Sequence, residues 1–403
     1  MSSFVPDLFF AIISLLSFLA SLFLLGYLVI TEWRAPKFID SIKRKNEKIH
    51  ENKENPSPLV SVIIPSRNEE RMIAECLDSL LNQSHSNLEI LVVDDSSTDK
   101  TFEIVSSIAK DFQGIRLISA GPKQEGWVGK SWPCWRGYEE SKGEFILFVD
   151  ADSTLKRKTI EIALRYFSEN RLDVFSLSPR VKMRGVWAKS VLPIISGAIN
   201  LLYPMQKVND RKSERAYVFG TFILIRKSVY EATGGHKQVK GELVEDAELA
   251  RIAKKAGYNL RVERGPEILS TVWEDDLGSI YSGLERVISN SIKIWGLVSM
   301  LNSVLLFLVI LYPIIFVLAY LTLTEASLIL TIGFIASICN IITFLALICH
   351  ELNTISGKVG LSVLFYPLGC ALFISAVVSA SIKVSTGRDI KWKGQGFKQS
   401  TGR

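Results

Sequence analysis

Cysteine is scarce in this sequence, and the spacings that would give it a structural role are missing. The five cysteines include no C-x-x-C pair, and this pattern excludes a structural zinc site and a disulfide framework. Three of them, Cys339, Cys349 and Cys370, lie in apolar stretches, where a free cysteine behaves as a small hydrophobic side chain. This usage is consistent with a reducing compartment.

Two phosphate-binding loops and one charge pattern are also absent. No G-x-x-x-x-G-K-[ST] motif occurs, because the nearest stretch, residues 126–131 (GWVGKS), is too short. The first strand-to-helix turn lacks the glycines of a dinucleotide-binding fold. The net charge is +6, but no basic run is interleaved with base-stacking aromatic residues, so nucleic acid is not an expected partner.

Apolar residues, in contrast, are abundant and cluster near the two ends. They make up 48% of the 403 residues, and the mean hydropathy is +0.24. Residues 8–30 carry no charge and are long enough to cross a hydrocarbon core of roughly 30 Å. A cleaved signal peptide is the alternative, but it needs basic residues before the apolar segment. Here Asp7 is the only charged residue before the segment, and no small-residue cleavage site follows it. We therefore expect an uncleaved anchor.

The charge beside this segment predicts its orientation. Seven basic residues follow it closely, namely Arg34, Lys37, Lys43, Arg44, Lys45, Lys48 and Lys53. Because Lys and Arg are retained on the cytoplasmic side of a membrane, we expect the N-terminus outside and the chain from residue 31 in the cytoplasm.

Three further apolar stretches, at about 296–320, 327–349 and 360–382, conflict with that rule. If all three cross, the tail lies outside with its basic residues Lys383, Arg388, Lys391, Lys393 and Lys398. A re-entrant 360–382, interrupted at Pro367 and Gly369, would resolve the conflict, and we favour this with a cytoplasmic tail. The predicted organisation is an anchor (1–33), a basic linker (34–57), a cytoplasmic catalytic domain (58–295), membrane segments (296–383) and a basic tail (384–403).

One apolar segment lies inside the predicted catalytic domain. Residues 186–203 mix apolar side chains with Trp187, Lys189 and Pro193, which makes them too interrupted to span comfortably. Since Trp, Tyr and Lys favour the headgroup layer, the segment is interpreted as an interfacial amphipathic helix. A buried core helix is the alternative.

Strands and helices alternate between residues 58 and 180. Short apolar runs predict strands at 59–65, 89–93, 115–119 and 145–149, and helical spacing predicts helices at 69–81, 98–110 and 131–142, the second capped by Ser96 or Ser97. Such alternation predicts an α/β fold with a doubly wound, mainly parallel sheet. Ligands bind beyond the carboxyl ends of the strands in sheets of this kind.

Acidic clusters follow three of these strands. The first strand ends in residues 65–70 (PSRNEE), the second in Asp94-Asp95 and the third in Asp150-Ala151-Asp152. Each cluster alone has a simpler explanation, because acids suit helix N-termini and Ser and Asp suit turns. Together at one sheet edge they favour a nucleotide-diphosphate site, in which Asp150 and Asp152 share Mg²⁺ or Mn²⁺ with the phosphates.

Several motifs, in this order, resemble those of the family 2 glycosyltransferases, which have the GT-A fold. The matching stretches are 60–70 (VSVIIPSRNEE), 92–99 (VVDDSSTD), 143–154 (GEFILFVDADST) and 244–250 (VEDAELA). Residues 126–137 (GWVGKSWPCWRG), 218–236 (VFGTFILIRKSVYEATGGH) and Trp392-Lys393-Gly394 are similar to the subgroup that acts on membrane lipids, with its carotenoid-ester, hopanoid-associated and ceramide glycosyltransferases. The resemblance covers about residues 58–300 and the tail motif.

The resemblance implies a role for each matching residue. Asp95 resembles the acid that binds the base, with Pro65, Arg67 and Glu69 lining the nucleotide site. Asp150 and Asp152 look like the metal-binding D-x-D pair. Asp246 matches the catalytic base, although on spacing alone it would be an acid at a helix N-terminus.

Cations for the departing diphosphate are implied at Arg286, with Lys130 and Lys393 as further candidates, and a surface role is the alternative for each. The Q-x-x-R-W signature of processive synthases is absent, since residues 284–287 offer only Arg286. Gln395 stands where the lipid subgroup commonly has arginine after the glycine. His236 either contacts the acceptor or forms a hydrogen bond within a turn.

The sequence therefore predicts a multi-pass membrane enzyme with a cytoplasmic catalytic domain. It transfers a hexose from a nucleotide-sugar, by default UDP-glucose, to a lipid by metal-dependent inverting displacement. A polyprenyl-phosphate sugar transferase or polysaccharide synthase is the enzymatic alternative, and a nucleotide-sugar-binding membrane scaffold is the non-enzymatic one. A transporter is disfavoured, because the apolar segments carry almost no ionisable residues.

Overall fold

The chain forms two compact units. The computed structural model describes residues 4–35, 38, 57–273, 276–295, 305, 307–392 and 395–397. The sheet unit comprises Ala35–Lys182 and Tyr203–Val272, and the helical unit comprises Met1–Arg34, Met183–Leu202 and Trp273–Arg403. Residues 183–202 and 273–295 thus group with the apolar helices, whereas the sequence predicts one domain over 58–295.

The sheet unit alternates strands and helices. Its strands are β1 (Val60–Ser66), β2 (Leu88–Asp94), β3 (Ile115–Ser119), β4 (Phe145–Phe148), β5 (Ser153–Leu155), β6 (Val174–Ser178), β7 (Arg180–Met183), β8 (Ile223–Arg226), β9 (Leu260–Arg264) and β10 (Leu269–Trp273), the last residues of β7 and β10 belonging to the helical unit. Its helices are α2 (Ile73–Leu81), α3 (Thr101–Asp111), α4 (Ser131–Glu139), α5 (Thr159–Glu169), α7 (Met205–Asn209), α8 (Lys227–Ala232), α9 (Gly235–Gln238) and α10 (Glu245–Lys255).

Seven strands form the main sheet in the order β3-β2-β1-β4-β8-β6-β9. All neighbouring pairs are parallel except the two made by β8. The carboxyl ends of β2, β1 and β4 therefore meet at one edge, and the antiparallel β8 begins at that same edge. A second sheet has the order β5-β10-β7.

Both faces of the main sheet are covered. Val60, Val62 and Ile64 of β1 point into one core, which also holds residues of α2, α3 and α5. Ile63 points into a second core with residues of α4, α8 and α10. Strands buried on both faces lack polar alternation, which is why the sequence shows them as continuous apolar runs. The predicted α/β class with a doubly wound, mainly parallel sheet is confirmed.

Two helices of this sheet begin later than the sequence predicts. Helix α2 begins at Ile73 instead of residue 69, and α3 begins at Thr101 instead of residue 98. The predicted cap at Ser96 or Ser97 is wrong, since the Asp99 carboxylate accepts the backbone N–H of Thr101 at 3.0 Å. The intervening residues are held instead by hydrogen bonds between the two loops.

The helical unit consists mainly of long apolar helices. They are α1 (Phe4–Arg34), α6 (Gly185–Leu202), α11 (Leu277–Trp295), a π-helix (Phe307–Leu311) that continues into α12 (Tyr312–Tyr320), α13 (Leu328–Ser356), a 3-10 turn (Leu361–Phe365) and α14 (Tyr366–Thr386), followed by a hairpin of β11 (Ile390–Trp392) and β12 (Gln395–Phe397). Among the described residues, four helical segments are long and apolar enough to cross a membrane: Val5–Arg34, Gly185–Leu202, Leu328–Ser356 and Leu361–Thr386.

Polar side chains join α1 to α13. The hydroxyl of Ser337 lies 3.0 Å from that of Ser14, and the Asn340 amide donates to the Ser17 hydroxyl at 2.6 Å. All four side chains are buried. Hydrogen bonds between small polar residues hold apolar helices together where burial of hydrophobic surface gives no net attraction, as in lipid.

The predicted interruption at Pro367 and Gly369 is wrong, because α14 is continuous there. Pro367 lies in the first turn, where a missing N–H costs no hydrogen bond. Gly369 is a contact point, since a Cβ on it would lie 2.0 Å from the carbonyl oxygen of Ser190 in α6. The glycine therefore lets two helix backbones approach closely.

The segment predicted as an interfacial helix is α6, and it packs with apolar helices. Besides the contact at Gly369, the Ser196 hydroxyl donates to the Glu351 carboxylate of α13 at 2.8 Å. Several residues named from the sequence lie outside the described residues: Lys37, Lys43, Arg44, Lys45, Lys48, Lys53, Lys393, Lys398 and most of 296–306.

Candidate active site

The loops after β1 and β2 are bonded to each other and form one rim at the sheet edge. Asn68 accepts the N–H of Thr98 at 2.8 Å through its side chain, and its own N–H donates to the Ser97 hydroxyl at 3.1 Å. The Glu69 N–H donates to the Thr101 hydroxyl at 2.8 Å. Asn68 and Ser96 both adopt positive φ, at 55° and 59°, a conformation that short polar residues tolerate in tight turns.

Asp95 lies in this rim with two cations around it. Its carboxylate is 3.0 Å from the Lys123 ammonium and 3.9 Å from the Arg67 guanidinium, and Arg67 also donates to the Asp95 carbonyl oxygen at 2.6 Å. Next to it, Asp94 accepts the N–H of Ser97 through Oδ2, while its buried Oδ1 has no hydrogen-bond partner among the described residues. A buried acceptor in this state can bind a donor group supplied by a ligand.

Asp150 and Asp152 follow β4 at the same edge. Asp152 accepts a hydrogen bond from the Thr271 hydroxyl of β10 at 3.0 Å through Oδ1. Burial, reinforced by the charges of Asp152 and Asp150, raises the pKa of the Cys76 thiol. The Cys76 Sγ itself lies 3.8 Å from the Asp150 carbonyl oxygen.

A cluster of charges surrounds Lys130, at the start of α4. Its ammonium lies 3.0 Å from Asp150 Oδ1 and 3.3 Å from Glu245 Oε1. Glu245 and Asp246 stand in the first turn of α10. We call Lys130, Asp150, Glu245 and Asp246 the charge cluster.

Gly220, just before β8, lies where the side chains of the charge cluster converge. A Cβ at this residue would lie 2.6 Å from Lys130 Nζ, 2.9 Å from Asp246 Oδ2 and 3.5 Å from Asp150 Oδ2. Three groups from three different elements therefore converge on one point. Because Gly220 has no side chain, these groups can lie this close to the backbone and to one another.

The electrostatics of the charge cluster are dominated by its carboxylates. Burial alone would lower the pKa of Lys130, but Asp150, Glu245 and Asp246 outweigh it and raise that pKa well above its ordinary value. Lys130 therefore stays protonated at every pH at which the protein would act. One ammonium faces three carboxylates, so the cluster carries an excess of negative charge.

The donor set at this edge fits a divalent cation shared with a substrate. Asp150, which belongs to the charge cluster, and Asp152 offer carboxylate oxygens. Among the described residues, no group of three or more His, Cys, Asp or Glu side chains is placed to hold a metal ion by itself. Mg²⁺-type ions need only one or two protein carboxylates when phosphates and water complete the shell. The residues thus fit a substrate-shared ion and not a structural metal.

His236 is buried and hydrogen-bonded. Its Nδ1 lies 2.8 Å from the Tyr230 hydroxyl, which also accepts the His236 backbone N–H at 2.9 Å. Burial, and then the nearby charge of Lys130, lowers the pKa of His236 to about 3. Of the two roles open from the sequence, the structure shows the hydrogen bond within a turn.

The residues named from the sequence fall into separate groups. Lys130, Asp150 and Asp246 meet at Gly220, and Arg67 meets Asp95. Pro65 and Glu69 lie at the end of β1 and in the loop after it, whereas Arg286 lies on α11 in the helical unit.

Three residues at the site were missed in the sequence: Glu245, Gly220 and Lys123. Glu245 stands in the first turn of α10, and nothing in its local sequence distinguishes it from an acid that favours a helix N-terminus. Gly220 and Lys123 carry no local signal, because their roles depend on contacts with distant segments.

Part of the chain is similar to a known protein family and to known proteins. Residues 61–234 match the model of the family described as Glycosyl transferase family 2. A 4,4'-diaponeurosporenoate glycosyltransferase of Staphylococcus aureus is 27% identical over 235 residues, which are 57% of this chain and 60% of that protein. The probable glycosyltransferase YdaM of Bacillus subtilis is 29% identical over 228 residues, which are 54% of this chain and 53% of that protein. The chain thus spans less than two thirds of these relatives.

Among solved structures, a mannosyltransferase from Pyrobaculum calidifontis in complex with GDP-Man and Mn²⁺ aligns with a TM-score of 0.49 at 18% identity, over 93% of this chain and 99% of that one. The family match and the observed sheet bear out the GT-A fold class. The diaponeurosporenoate relative agrees with the predicted resemblance to carotenoid-related enzymes. Residues 61–234, which carry most of the main sheet, are therefore similar to the glycosyl transferase family 2 domain.

Proposed function

We propose that the protein transfers a hexose from a nucleotide-sugar to a membrane lipid by an inverting single displacement that depends on a divalent cation. The observation that carries this proposal is the convergence of Lys130 Nζ, Asp246 Oδ2 and Asp150 Oδ2 beside Gly220. This arrangement combines a candidate base with charges suited to a diphosphate.

The nucleotide is proposed to bind at the rim formed by the loops after β1 and β2. Asp95 accepts from the base, and Pro65, Arg67 and Glu69 line the nucleotide site. The unpartnered Oδ1 of Asp94 supports this, since a base N–H or a ribose hydroxyl would satisfy it. UDP-glucose is the donor to test first.

Asp246 is proposed to act as the general base. Its Oδ2 takes the proton of the acceptor hydroxyl, and the oxygen attacks the anomeric carbon while the bond to the diphosphate breaks. One displacement of this kind inverts the anomeric configuration. Asp246 Oδ1 accepts the N–H of Ala247 at 2.8 Å, which orients the carboxylate with Oδ2 toward Gly220.

Lys130 is proposed to bind the diphosphate side of the donor. Its position beside Asp150 places a permanent positive charge where negative charge grows on the leaving group. Asp150 and Asp152 would hold the divalent cation, which neutralises charge on the diphosphate when bound. Arg286 is proposed as a further cation for the leaving group.

The acceptor is proposed to be a lipid, and the protein to be a multi-pass membrane protein with its catalytic unit in the cytoplasm. Four helical segments long and apolar enough to span a membrane support this, together with the basic residues after α1. The relative named for diaponeurosporenoate supports a lipid-soluble acceptor.

Transfer can be tested in membranes that contain the full chain. They are incubated with labelled UDP- and GDP-sugars and Mn²⁺, and the extracted lipids are separated by thin-layer chromatography. Asp246→Asn should abolish the labelled glycolipid, while Asp111→Asn, an exposed acid at the end of α3, should leave it unchanged. A labelled polymer, or labelled polyprenyl phosphate, would contradict the proposed acceptor. Label released only as free sugar would contradict transfer.

A further inference from the structure

A cavity in the sheet unit is lined by residues that have no role in the proposed reaction. Its volume is about 260 Å³, and its lining consists of Gln124, Trp127, Trp132, Trp135, Arg136, Glu139, Lys237 and Lys240. We call it the tryptophan pocket. A cavity just below the usual range for small-molecule sites has room for a headgroup-sized ligand.

Three indoles line the tryptophan pocket, of which Trp135 is partly exposed while Trp127 and Trp132 are buried in the second core. The rings of Trp127 and Trp132 pack edge to face at 5.1 Å, and those of Trp127 and Trp135 lie 6.0 Å apart. Trp132 donates its ring N–H to the Ala120 carbonyl oxygen, and Trp135 donates to Glu139, each at 3.0 Å. No residue in the described part of the chain accepts the ring N–H of Trp127, so that donor is available to a ligand.

The charge of the tryptophan pocket is positive. Arg136 and Glu139 neutralise each other at 2.5 Å, which leaves the ammonium groups of Lys237 and Lys240. Both side chains are exposed, and neither forms an ion pair or hydrogen bond with another described residue. Two unpaired cations three residues apart repel each other, and an anion between them would relieve that repulsion.

The chain itself indicates where such an anion comes from. It passes four times between the sheet unit and the helical unit, which holds the helices long enough to span a membrane. Headgroups of anionic lipids are then the anions at high local concentration. Tryptophan and lysine are also the side chains favoured at the headgroup layer.

We propose that the tryptophan pocket binds the phosphodiester headgroup of an anionic membrane lipid. Lys237 and Lys240 pair with the phosphate, the Trp127 ring N–H donates to one of its oxygens, and the partly exposed indole of Trp135 covers the glycerol. None of the residues that line the pocket has a role in the proposed transfer reaction.

Binding can be measured on the purified full chain in a neutral detergent by isothermal titration calorimetry. The probe is dihexanoyl phosphatidylglycerol, and the comparison ligands are dihexanoyl phosphatidylcholine, glycerol 3-phosphate and inorganic phosphate. Saturable binding of phosphatidylglycerol, weaker for the other three, is expected. The double variant Lys237→Gln/Lys240→Gln should lose about tenfold in affinity, since each exposed ion pair contributes modestly.

Two further variants separate a lost site from a misfolded protein. Lys142→Gln/Lys158→Gln removes two exposed lysines elsewhere in the sheet unit and should leave the affinity unchanged. Glu139→Gln frees Arg136 and should tighten binding. The proposal is overturned if phosphatidylglycerol does not bind saturably, if the Lys237/Lys240 variant binds it as well as the wild type does, or if phosphatidylcholine binds equally. Equal binding of inorganic phosphate would assign the pocket to soluble anions and overturn the lipid assignment.

Discussion

Lys130 and Asp150 form an ion pair of 3.0 Å that joins the start of α4 to the residue beyond the end of β4. Glu245, which is almost fully buried, approaches the same ammonium at 3.3 Å. A single cation thus holds together carboxylates from two segments that are far apart in sequence. Its removal should affect both the fold and the proposed reaction.

Lys130→Gln leaves the carboxylates of the charge cluster without their cation. We expect transfer to fall by at least about a hundredfold, because a preorganised charge at a leaving group is lost, and the unfolding temperature to fall as well. Transfer assays and thermal unfolding of purified protein measure the two effects. Because the pKa of Lys130 is raised on folding, its stabilising contribution is present below its ordinary pKa of 10.5 and is lost above it. An unchanged unfolding temperature at neutral pH would contradict the ion-pair role.

Gly220→Ala places a methyl group 2.6 Å from Lys130 Nζ and 2.9 Å from Asp246 Oδ2. We expect transfer to fall by up to about a hundredfold, because small displacements of catalytic groups are costly, while the circular dichroism spectrum stays unchanged. The matched control is Gly114→Ala, where a Cβ meets nothing within 4 Å. Equal activity in the two variants would show that the arrangement of Lys130 and Asp246 beside Gly220 does not matter for transfer.

Thr271→Val removes the hydroxyl that donates to Asp152 at 3.0 Å while keeping the side-chain shape. If Asp152 holds the proposed cation, the Mn²⁺ concentration needed for half-maximal transfer should rise by about tenfold, since groups that orient a metal ligand are worth roughly that much. Asp152→Asn should abolish transfer and leave the protein folded and membrane-bound. Retained activity in Asp152→Asn would refute the metal assignment.

The free energy of unfolding should depend on pH through the side chain of His236. Its pKa is lowered from 6.5 to about 3, so the folded state favours the neutral ring. The resulting stabilisation is full above pH 6.5 and declines as the pH falls toward 3, by at most ~1.4 kcal/mol per pH unit. Urea unfolding between pH 4 and pH 7 should therefore show a slope that His236→Gln reduces. A slope that is the same in both proteins would assign the acid sensitivity to other groups.

Gly369→Val should disrupt the helical unit. Its side chain would collide with the Ser190 carbonyl oxygen, which lies 2.0 Å from the Cβ position, and overpacking of this kind costs about 1–3 kcal/mol. Gly360→Ala is the control, because nothing lies within 4 Å of its Cβ position. Thermal unfolding in detergent compares the two variants. A wild-type unfolding temperature for Gly369→Val would mean that α6 and α14 are not in close contact.

The strands could be predicted from the sequence because strands covered on both faces show as unbroken apolar runs. The helix starts could not, since Asn68, Glu69 and Glu70 bond to the loop after β2 instead of extending α2. Hydrogen bonds between segments about thirty residues apart leave no trace in local spacing.

The predicted site was incomplete for a related reason. Residues Asp150 and Asp246 were found because strand ends and a family motif marked them. Glu245 stands beside Asp246 in sequence, but only the folded loop before α10 decides which carboxylate meets Lys130. The sequence predicts an interrupted helix at Gly369, because a glycine at a helix contact and a glycine that breaks a helix cannot be told apart in a single sequence.

The positive φ angles of Asn68 and Ser96 have a consequence for how a ligand would bind. Both turns are fixed before any ligand arrives, because each loop supplies the other with hydrogen-bond partners. A nucleotide that enters there meets groups whose conformational entropy has already been lost on folding, so more of its contact energy appears as affinity. Ser97→Ala removes one of the hydrogen bonds between the loops. It would then lower the affinity for a ligand by making the backbone of the two loops less rigid.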